Sequence, residues 1–295
     1  MAFNDWDEVR TAYQVARLGT VSGAAQALGV HHATVIRHID SLEGKLGAKL
    51  FQRHARGYTA TEAGQDLLSV AKRTDDQLSQ LASRIKGRGD QVTGELTVTS
   101  LAVLAPLLTP ALAAFRKAHP EISMKFLTDE RVLRLEYGEA HLAIRAGAPP
   151  EQPDNVVQKF YRQGFALYAS RGYVEAHGMP LSLEDVGDHH FIGSTEEAPR
   201  APFFRWLNEN VPARNITFRV NQIVSARPAI HAGLGIGFST TWVEDGHDDV
   251  VQVFGPRDEW NSQLWLVTHV DLHRTAKVQT ITAFLKDWAQ RWPAA

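Results

Sequence analysis

The chain contains no cysteine among its 295 residues, and this absence excludes structural disulfides, thiolate metal sites and redox sensing by a thiol. No apolar run reaches the about 20 residues that a membrane-spanning helix needs. The segment MAFNDWDEV at the start is acidic and amphipathic, and it lacks the basic and then apolar pattern of a secretory signal. These absences predict a cytoplasmic protein with no membrane partner.

An excess of positive charge is also missing. The chain has 31 Lys and Arg against 33 Asp and Glu, which gives a formal net charge of −2. Binding to nucleic acid would therefore need a local basic patch. Residues 31–60 contain such a patch, with only two acidic residues. Its basic residues are Arg37, Lys45, Lys49, Arg53 and Arg56.

Motifs of catalysis are absent as well. The sequence has no GxSxG elbow, no HExxH helix and no P-loop, so hydrolase, zinc-protease and NTPase functions lack support. The glycines of GLGIG (233–237) do not have the spacing of a dinucleotide loop and are more typical of a helix end that leads into a strand. We predict no enzyme, no metal and no cofactor.

Residues 22–64 have the periodicity of a short helix, a tight turn, a longer helix and a basic hairpin. Ser22 suits the N-cap of the first helix and Gly29 its C-terminal end, while Ala24 and Ala25 allow a close helix crossing. The apolar residues of the second helix predict one buried stripe. They are Val35, Ile39, Leu42 and Leu46. Such a pair, with a polar face on the second helix, is typical of a helix-turn-helix that enters the DNA major groove.

DNA contacts are expected from the polar face of the second helix and from the hairpin, or wing. The apolar pair Leu50 and Phe51 would be buried at the root of the wing, and basic side chains at its tip would contact phosphate. For the histidines, a DNA contact or an N-cap role is favoured over metal ligation. The predicted DNA-binding residues are Ser22, His31, His32, Thr34, Arg37, His38, Ser41, Lys45, Arg53 and Arg56.

Two further helices flank this motif. A first helix is predicted from Asp5 to Arg17, with Trp6, Val9, Tyr13 and Ala16 on one stripe. Thr61 would cap a long helix to about Lys86, and a polar hinge follows at 86–90. The long helix has an apolar stripe with near-heptad spacing, which either its own domain or a second subunit must cover. The stripe consists of Leu67, Val70, Leu78, Leu81 and Ile85.

Beyond the hinge, strands and helices alternate, which predicts an α/β fold with mainly parallel sheets. The first unit is predicted to have strands at 96–100, 122–128 and 141–147 and a helix at 101–119. The second unit is predicted to start near 165–173 and to include 190–194, 218–242 and 263–269. A final helix at 278–292 would return to the first unit.

Two α/β units joined by crossing strands leave a cleft, which is a usual place for a small ligand. The carboxyl ends of parallel strands converge there, and Ser100 also starts a helix whose free amides favour an anion. We therefore expect an anionic or strongly hydrogen-bonding small-molecule effector. The predicted effector-binding residues are Ser100, Leu101, Ala102, Thr128, Arg145, Gly147, Ser194, Thr195, Ser225 and Phe238.

Several of these segments together resemble one family. They are AAQAL, Gly29-Val30, the run Val35–Arg37–Ile39, LEGKLGAKLFQR and RGYTATEAG, with HGMPLSLEDVGDHHFI and AGLGIGF farther on. In these motifs the chain resembles the LysR-type transcriptional regulators over nearly its whole length. It departs at His31-His32, where the family usually has a small hydroxyl residue and Gln, and at His141, where an acid is common.

The resemblance implies a winged helix-turn-helix at 1–60, a linker helix with a hinge at 61–89, and an effector-binding domain at 90–295. That domain would be similar to periplasmic solute-binding proteins, with subdomain I at about 90–162 and 268–295 and subdomain II at about 163–267. The resemblance also implies binding to double-stranded DNA by a homodimer or homotetramer whose linker helices pair antiparallel. Two alternatives remain: a solute-binding receptor, or an enzyme-derived domain with an appended DNA-binding head.

Overall fold

Three helices and a hairpin form an N-terminal head in the computed structural model. The structure describes residues 6–54, 57–85, 92–129 and 131–293, without the side chains at 73, 76, 77, 79–85, 183 and 184. The elements of the head are α1 (Trp6–Leu18), α2 (Val21–Leu28), α3 (His32–Leu46), β1 (Phe51–His54) and β2 (Gly57–Ala60). Val35, Ile39 and Leu42 lie in the head core, so the predicted apolar stripe of α3 is confirmed.

One of the two predicted ends of α2 is confirmed and the other is wrong. Gly29 has φ +67° and ends α2 in the left-handed region, as predicted. The N-cap, however, is Thr20 and not Ser22, because the Thr20 hydroxyl accepts a hydrogen bond from the amide of Gly23 at 3.1 Å. Ser22 lies in the first turn of the helix. In α1, Val9 and Tyr13 of the predicted stripe are buried, Ala16 is half-buried and Trp6 is 45% exposed. Asp5 lies outside the described residues.

The linker helix, α4 (Glu62–Ile85), begins at the predicted cap, where the Thr61 hydroxyl accepts from the amide of Gly64 at 3.2 Å. Leu67 packs against the head core. Val70 and Leu78 are 55% and 46% exposed, so this chain does not cover the whole stripe. The side chains of Leu81 and Ile85 and the hinge at 86–90 lie outside the described residues.

Subdomain I is built on a five-stranded sheet in the order β4-β3-β5-β12-β6. Its strands are β3 (Gly94–Ser100), β4 (Ile122–Thr128), β5 (Leu142–Ala146), β6 (Asn155–Gln163) and β12 (Ser262–His269). The first three run parallel, and β12 pairs antiparallel with both β5 and β6. The helices α5 (Ala105–Ala118) and α11 (Ala276–Ala289) share a core with this sheet, so the predicted return of the final helix is confirmed.

Subdomain II contains the second five-stranded sheet, in the order β11-β7-β10-β8-β9. Its strands are β7 (Phe165–Ser170), β8 (Phe191–Ser194), β9 (Ile216–Val220), β10 (Ile236–Thr240) and β11 (Val250–Phe254). Its helices are α6 (Arg171–His177), α7 (Pro202–Asn210), α8 (Ala226–His231) and α9 (Thr241–Glu244). The short helix α10 (Val270–His273) belongs to subdomain I. The strands β8, β9 and β10 run parallel, and β7 is antiparallel to β10.

The assignment of 263–269 to the second unit is wrong. This segment is β12, whose pairing with β5 and β6 places it in the sheet of subdomain I. The chain therefore returns to subdomain I before Ser262 and not at 268. Among the described residues, the helices are all too short or too polar to cross a membrane.

Candidate nucleic-acid interface and ligand cleft

The N-terminal half of α3 presents an open polar surface. His31, His32 and Arg37 are exposed, and Thr34 is half-buried. The carbonyl of His31 accepts from the amides of Thr34 and Val35, but its imidazole makes no capping hydrogen bond. In the described part of the chain, no group of three or more histidines, aspartates or glutamates is arranged to hold a metal ion. Because His31, His32 and Arg37 are exposed, their side chains are accessible to an external partner.

The other half of the predicted polar face contacts α1, which corrects the expectation for His38, Ser41 and Lys45. The His38 Nδ1 lies 2.9 Å from the Thr11 hydroxyl. Ser41 and Lys45 both donate to the buried carboxylate of Glu8, each at 2.7 Å. These bonds from Lys45 and Ser41 lower the pKa of Glu8 and keep it charged. The three residues therefore hold α3 against α1.

Glu43, which was not among the residues predicted from the sequence, connects α3 to the wing. One of its buried oxygens accepts from the amides of Leu50 and Phe51 at 2.9 and 3.2 Å, and the other accepts from Lys49 at 2.6 Å. Burial opposes the charged form, but the bonds from Lys49 and the two amides outweigh it and lower the pKa of Glu43. The wing root is thereby fixed to the third helix. An acid inside a basic, apolar segment was the available signal.

Arg53 lies on β1 and is also tied to α3. Its guanidinium donates to Asp40, and this bond raises the pKa of Arg53. The same group lies 5.5 Å from the ring centre of Tyr58 on β2. Leu50 and Phe51 are buried, as predicted for the wing root, and Arg56 lies outside the described residues.

The ligand cleft is predicted to lie at the carboxyl ends of the parallel strands of the two sheets. Ser100 ends β3 and is paired in register with Thr128, the last residue of β4. A 3-10 turn, Ala102–Leu104, follows and packs against the turn Ile223–Ser225 of subdomain II. The structure thus brings the segment around Leu101 and Ala102 close to that around Ser225.

Two of the hydroxyls expected in the cleft have partners within the chain. The Ser100 hydroxyl donates to the carbonyl of Leu101 at 2.9 Å, and that of Ser194 accepts from the amide of Glu196 at 3.0 Å. Both serines are buried, whereas Thr128 and Thr195 are exposed. An effector would therefore reach the threonines and the turn amides more readily than the serine side chains.

Phe238 does not line the cleft and is corrected to a core residue. It is fully buried on β10, and its ring contacts Trp206 and Trp260 edge-on at centroid distances of 6.1 and 5.1 Å. The prediction that Phe238 lines the cleft is wrong because the aromatic core of subdomain II covers this face of β10.

Arg145 and Gly147 hold the end of β5. The Arg145 guanidinium donates to the carbonyl of Leu133 at 3.0 Å, and burial lowers its pKa. Gly147, at φ +99°, donates to the Gln263 carbonyl at 2.9 Å and accepts from the indole of Trp265 at 2.8 Å. Binding of an effector by either residue stays a prediction.

His141, where the family commonly has an acid, is buried between β3 and α11. Its Nδ1 accepts from the amide of Thr97 at 2.9 Å, and its Nε2 lies 3.0 Å from the ammonium of Lys277, which is also buried. Lys277 donates to the Glu95 carbonyl at 2.8 Å as well. This cluster connects the first strand of subdomain I to the last helix.

Comparison with known families agrees with this division of the chain. Residues 6–65 match the model described as bacterial regulatory helix-turn-helix protein, lysR family, and residues 89–290 match the LysR substrate binding domain. The chain belongs to the LysR family. The fold predicted from the sequence is confirmed: a helix-turn-helix head followed by an α/β substrate-binding domain.

LysR-family relatives are similar along most of the chain. The transcriptional regulator CrgA of Neisseria meningitidis is 28% identical over 193 residues, which are 64% of this chain and 64% of CrgA. The chain thus spans just under two thirds of CrgA. The regulator DmlR of Escherichia coli is 26% identical over 300 residues, covering 97% of this chain and 95% of DmlR. A full-length OxyR variant of Pseudomonas aeruginosa has the same fold, with a TM-score of 0.73 at 16% identity, covering 97% of this chain and 95% of the OxyR chain.

Proposed function

We propose that this protein is a cytoplasmic transcriptional regulator, not an enzyme, which binds specific sites in double-stranded DNA. The observation that carries the proposal is the exposed face of α3. His31, His32 and Arg37 project from a helix whose other faces are held by the head core, by α1 and by the wing. A recognition helix needs such a free face at its N-terminal end, because those residues reach base edges in the major groove.

Replacing Arg37 with alanine tests this assignment. An arginine that reads guanine through two hydrogen bonds contributes about 1–3 kcal/mol of discrimination. We expect Arg37→Ala to weaken binding to the operator in the DNA upstream of the protein's own gene by about that amount. We also expect it to reduce the preference for this operator over unrelated DNA. The measurement is a fluorescence-anisotropy titration at fixed salt.

The matched control for this titration is Arg205→Ala, which removes another exposed arginine, from α7 outside the head. Arg205→Ala should bind the operator like the wild type. Equal affinity of wild type and Arg37→Ala would show that the recognition surface lies elsewhere.

The assembly that fits this function is a homodimer formed through α4, with a homotetramer as the larger form. Val70 and Leu78 are exposed on one long helix, and covering such apolar side chains by a second helix is favourable. A dimer also places two heads on two half-sites of one operator, and this raises both affinity and specificity.

The effector in this proposal is an anionic or strongly hydrogen-bonding small molecule that occupies the cleft. The match to a substrate-binding domain supports a small-molecule ligand. The contact between the turns Ala102–Leu104 and Ile223–Ser225 supports its position in the cleft between the two subdomains. A ligand that binds one relative orientation of the subdomains more tightly shifts the population toward it. Because α4 connects each head to its effector-binding domain, a change in the orientation of the subdomains would change the positions of the heads.

Ser100→Ala tests the cleft. The substitution removes the hydrogen bond from the Ser100 hydroxyl to the Leu101 carbonyl. The backbone amides of this turn are expected to bind the effector, so the turn should be less well ordered for binding. After a thermal-shift screen has found an effector, we expect its affinity to fall about 3–10-fold, the usual effect of one hydrogen bond. DNA binding without effector should stay close to wild type, as judged by footprinting. A normal effector response, or a general loss of DNA binding, would contradict the assignment.

A further inference from the structure

A network of polar and charged side chains joins α8, α9 and β10 in subdomain II. Its centre is Glu244, the last residue of α9, whose side chain is 1% exposed. One oxygen of this carboxylate accepts from the hydroxyl of Ser239 at 2.6 Å and from the guanidinium of Arg227 at 3.1 Å. The other oxygen lies 3.0 Å from the Nε2 of His231, the last residue of α8. Because a guanidinium stabilises the charged form of a carboxyl group beside it, Glu244 acts as a hydrogen-bond acceptor.

His231 contacts a second carboxylate through its other ring nitrogen. The Nδ1 of His231 lies 2.5 Å from the carboxylate of Asp249, in the loop between α9 and β11. This hydrogen bond is the main cause that lowers the pKa of Asp249 from its ordinary value. Both nitrogens of His231 therefore face ionised carboxylates, which can only accept hydrogen bonds. Each nitrogen must then carry a proton, so this geometry requires the imidazolium form of His231.

The neighbouring His247 is neutral in the same network. Its Nε2 lies 3.0 Å from the guanidinium of Arg227, which can only donate, so this nitrogen is the acceptor. The proton of the ring is then on Nδ1, which lies 3.9 Å from the carboxylate of Asp249. The network thus pairs two cations, Arg227 and His231, with two anions, Glu244 and Asp249. Loss of a proton from His231 leaves an excess of negative charge around a buried carboxylate.

The groups that surround this end of α8 come from β7, the start of α6 and the loop after α9. On β7, burial with the charges of Glu244 and Asp245 raises the pKa of Tyr168 to about 12, so its phenol stays neutral near pH 7. At the start of α6, the Arg171 guanidinium donates to the carbonyl of Asp248. The strands β8 and β10, which also pack on α8, contain no titratable side chain. Histidine is the side chain that exchanges its proton between about pH 5 and 8.

We propose that His231 is a proton-dependent clamp, which holds the C-terminal end of α8 when it is charged and releases it when it is neutral. α8 begins directly after the turn Ile223–Ser225, which packs against Ala102–Leu104 of subdomain I. Release of α8 therefore loosens a contact between the two subdomains and makes their relative orientation sensitive to pH. The clamp is a property of subdomain II and does not depend on the DNA and effector binding proposed above.

The direction of the effect follows from the charge. A cation that the folded state stabilises contributes stability at low pH, and this contribution is lost as the pH rises and the proton leaves. We therefore expect the amides of residues 226–234 to be about fivefold better protected from hydrogen exchange at about pH 6 than at about pH 8, the effect of one partly exposed bond between charged groups. Hydrogen exchange of the full-length protein, read by mass spectrometry and corrected for intrinsic rates, measures this difference without DNA or effector.

Two variants assign the difference to the clamp. His231→Gln has no proton to lose in this range and should show equal protection at both pH values. In Asp249→Asn the new amide can donate to the Nδ1 of His231, so a neutral ring with its proton on Nε2 is accommodated and the pH dependence should again disappear. The side chain of Asp249 is 60% exposed, so this second variant should keep the fold. The matched control is His190→Gln, which removes an exposed histidine of the same subdomain outside the network and should keep the difference.

Three results would overturn the proposal. The first is equal protection of the wild type at both pH values. The second is a difference between the two pH values that persists in His231→Gln or in Asp249→Asn, because the pair of carboxylates around His231 would then not be its cause. The third is loss of the difference in His190→Gln, which would identify another histidine as the titrating group.

Discussion

The variant Val70→Asp/Leu78→Asp is expected to be monomeric at micromolar concentration and to lose tight binding to its operator. Both side chains are exposed on α4, and a carboxylate in an apolar helix pair would be desolvated without a partner. Loss of the dimer separates the two heads, so each half-site is bound independently. Since linkage of two binding modules raises affinity about 10²–10⁴-fold, we expect a loss of at least about 100-fold.

Light scattering and anisotropy titration of the operator provide the two measurements. The control Met179→Asp/Leu181→Asp introduces the same two charges at exposed apolar residues of subdomain II, where Leu181 is 92% exposed. This control should keep the oligomeric state and the DNA affinity of the wild type. A wild type that is itself monomeric, or a Val70→Asp/Leu78→Asp variant that still forms the dimer, would contradict the role of α4.

Local sequence patterns predicted most of the head. Val35, Ile39 and Leu42 recur at the helical period, and Gly29 adopts the positive φ that ends a helix, so both features depend on a few neighbouring residues. The N-cap was misplaced by two residues because Thr20 and Ser22 are chemically alike. Only the backbone geometry at Thr20 distinguishes them.

Long-range contacts explain why the polar face of α3 was predicted too broadly. Ser41 and Lys45 have the same character as Thr34 and Arg37, and periodicity alone places all of them opposite the core. Their partner is Glu8, which is 33 and 37 residues away in sequence. A pattern within one helix contains no information on which polar residues a distant helix will contact.

The same limit applies to the sheets. The alternation in 263–269 correctly predicts a strand, but strand identity does not say which sheet accepts it, and β12 pairs with β5 and β6. Phe238 shows the related error for a single side chain. It was predicted to close one wall of the cleft, whereas the aromatic rings of Trp206 and Trp260 cover it.

Loss of Glu43 should destabilise the wing root of the head. Glu43→Ala would leave the amides of Leu50 and Phe51 without their acceptor in a buried position and would also remove the partner of Lys49. Each unsatisfied buried amide costs about 1–3 kcal/mol, so we expect the opening free energy of the wing root to fall by about 2–4 kcal/mol. Glu43→Gln keeps one acceptor oxygen and should cost less. Hydrogen exchange of residues 43–60 in the full-length protein measures both effects, with the exposed Glu62→Ala as control.

The pH dependence of the same bonds gives a second expected result. The pKa of Glu43 in the folded head is lowered from its ordinary value of 4.5, because the bonds from Lys49 and the two amides outweigh the opposing effect of burial. A carboxyl group with a depressed pKa stabilises the fold fully above its unfolded pKa, and this contribution is lost as the pH falls through the folded value. The difference in opening free energy between wild type and Glu43→Gln should therefore be constant near neutral pH and shrink below pH 4.5. A difference that does not change on acidification, after correction for intrinsic exchange rates, would show that the charge of Glu43 does not stabilise the wing.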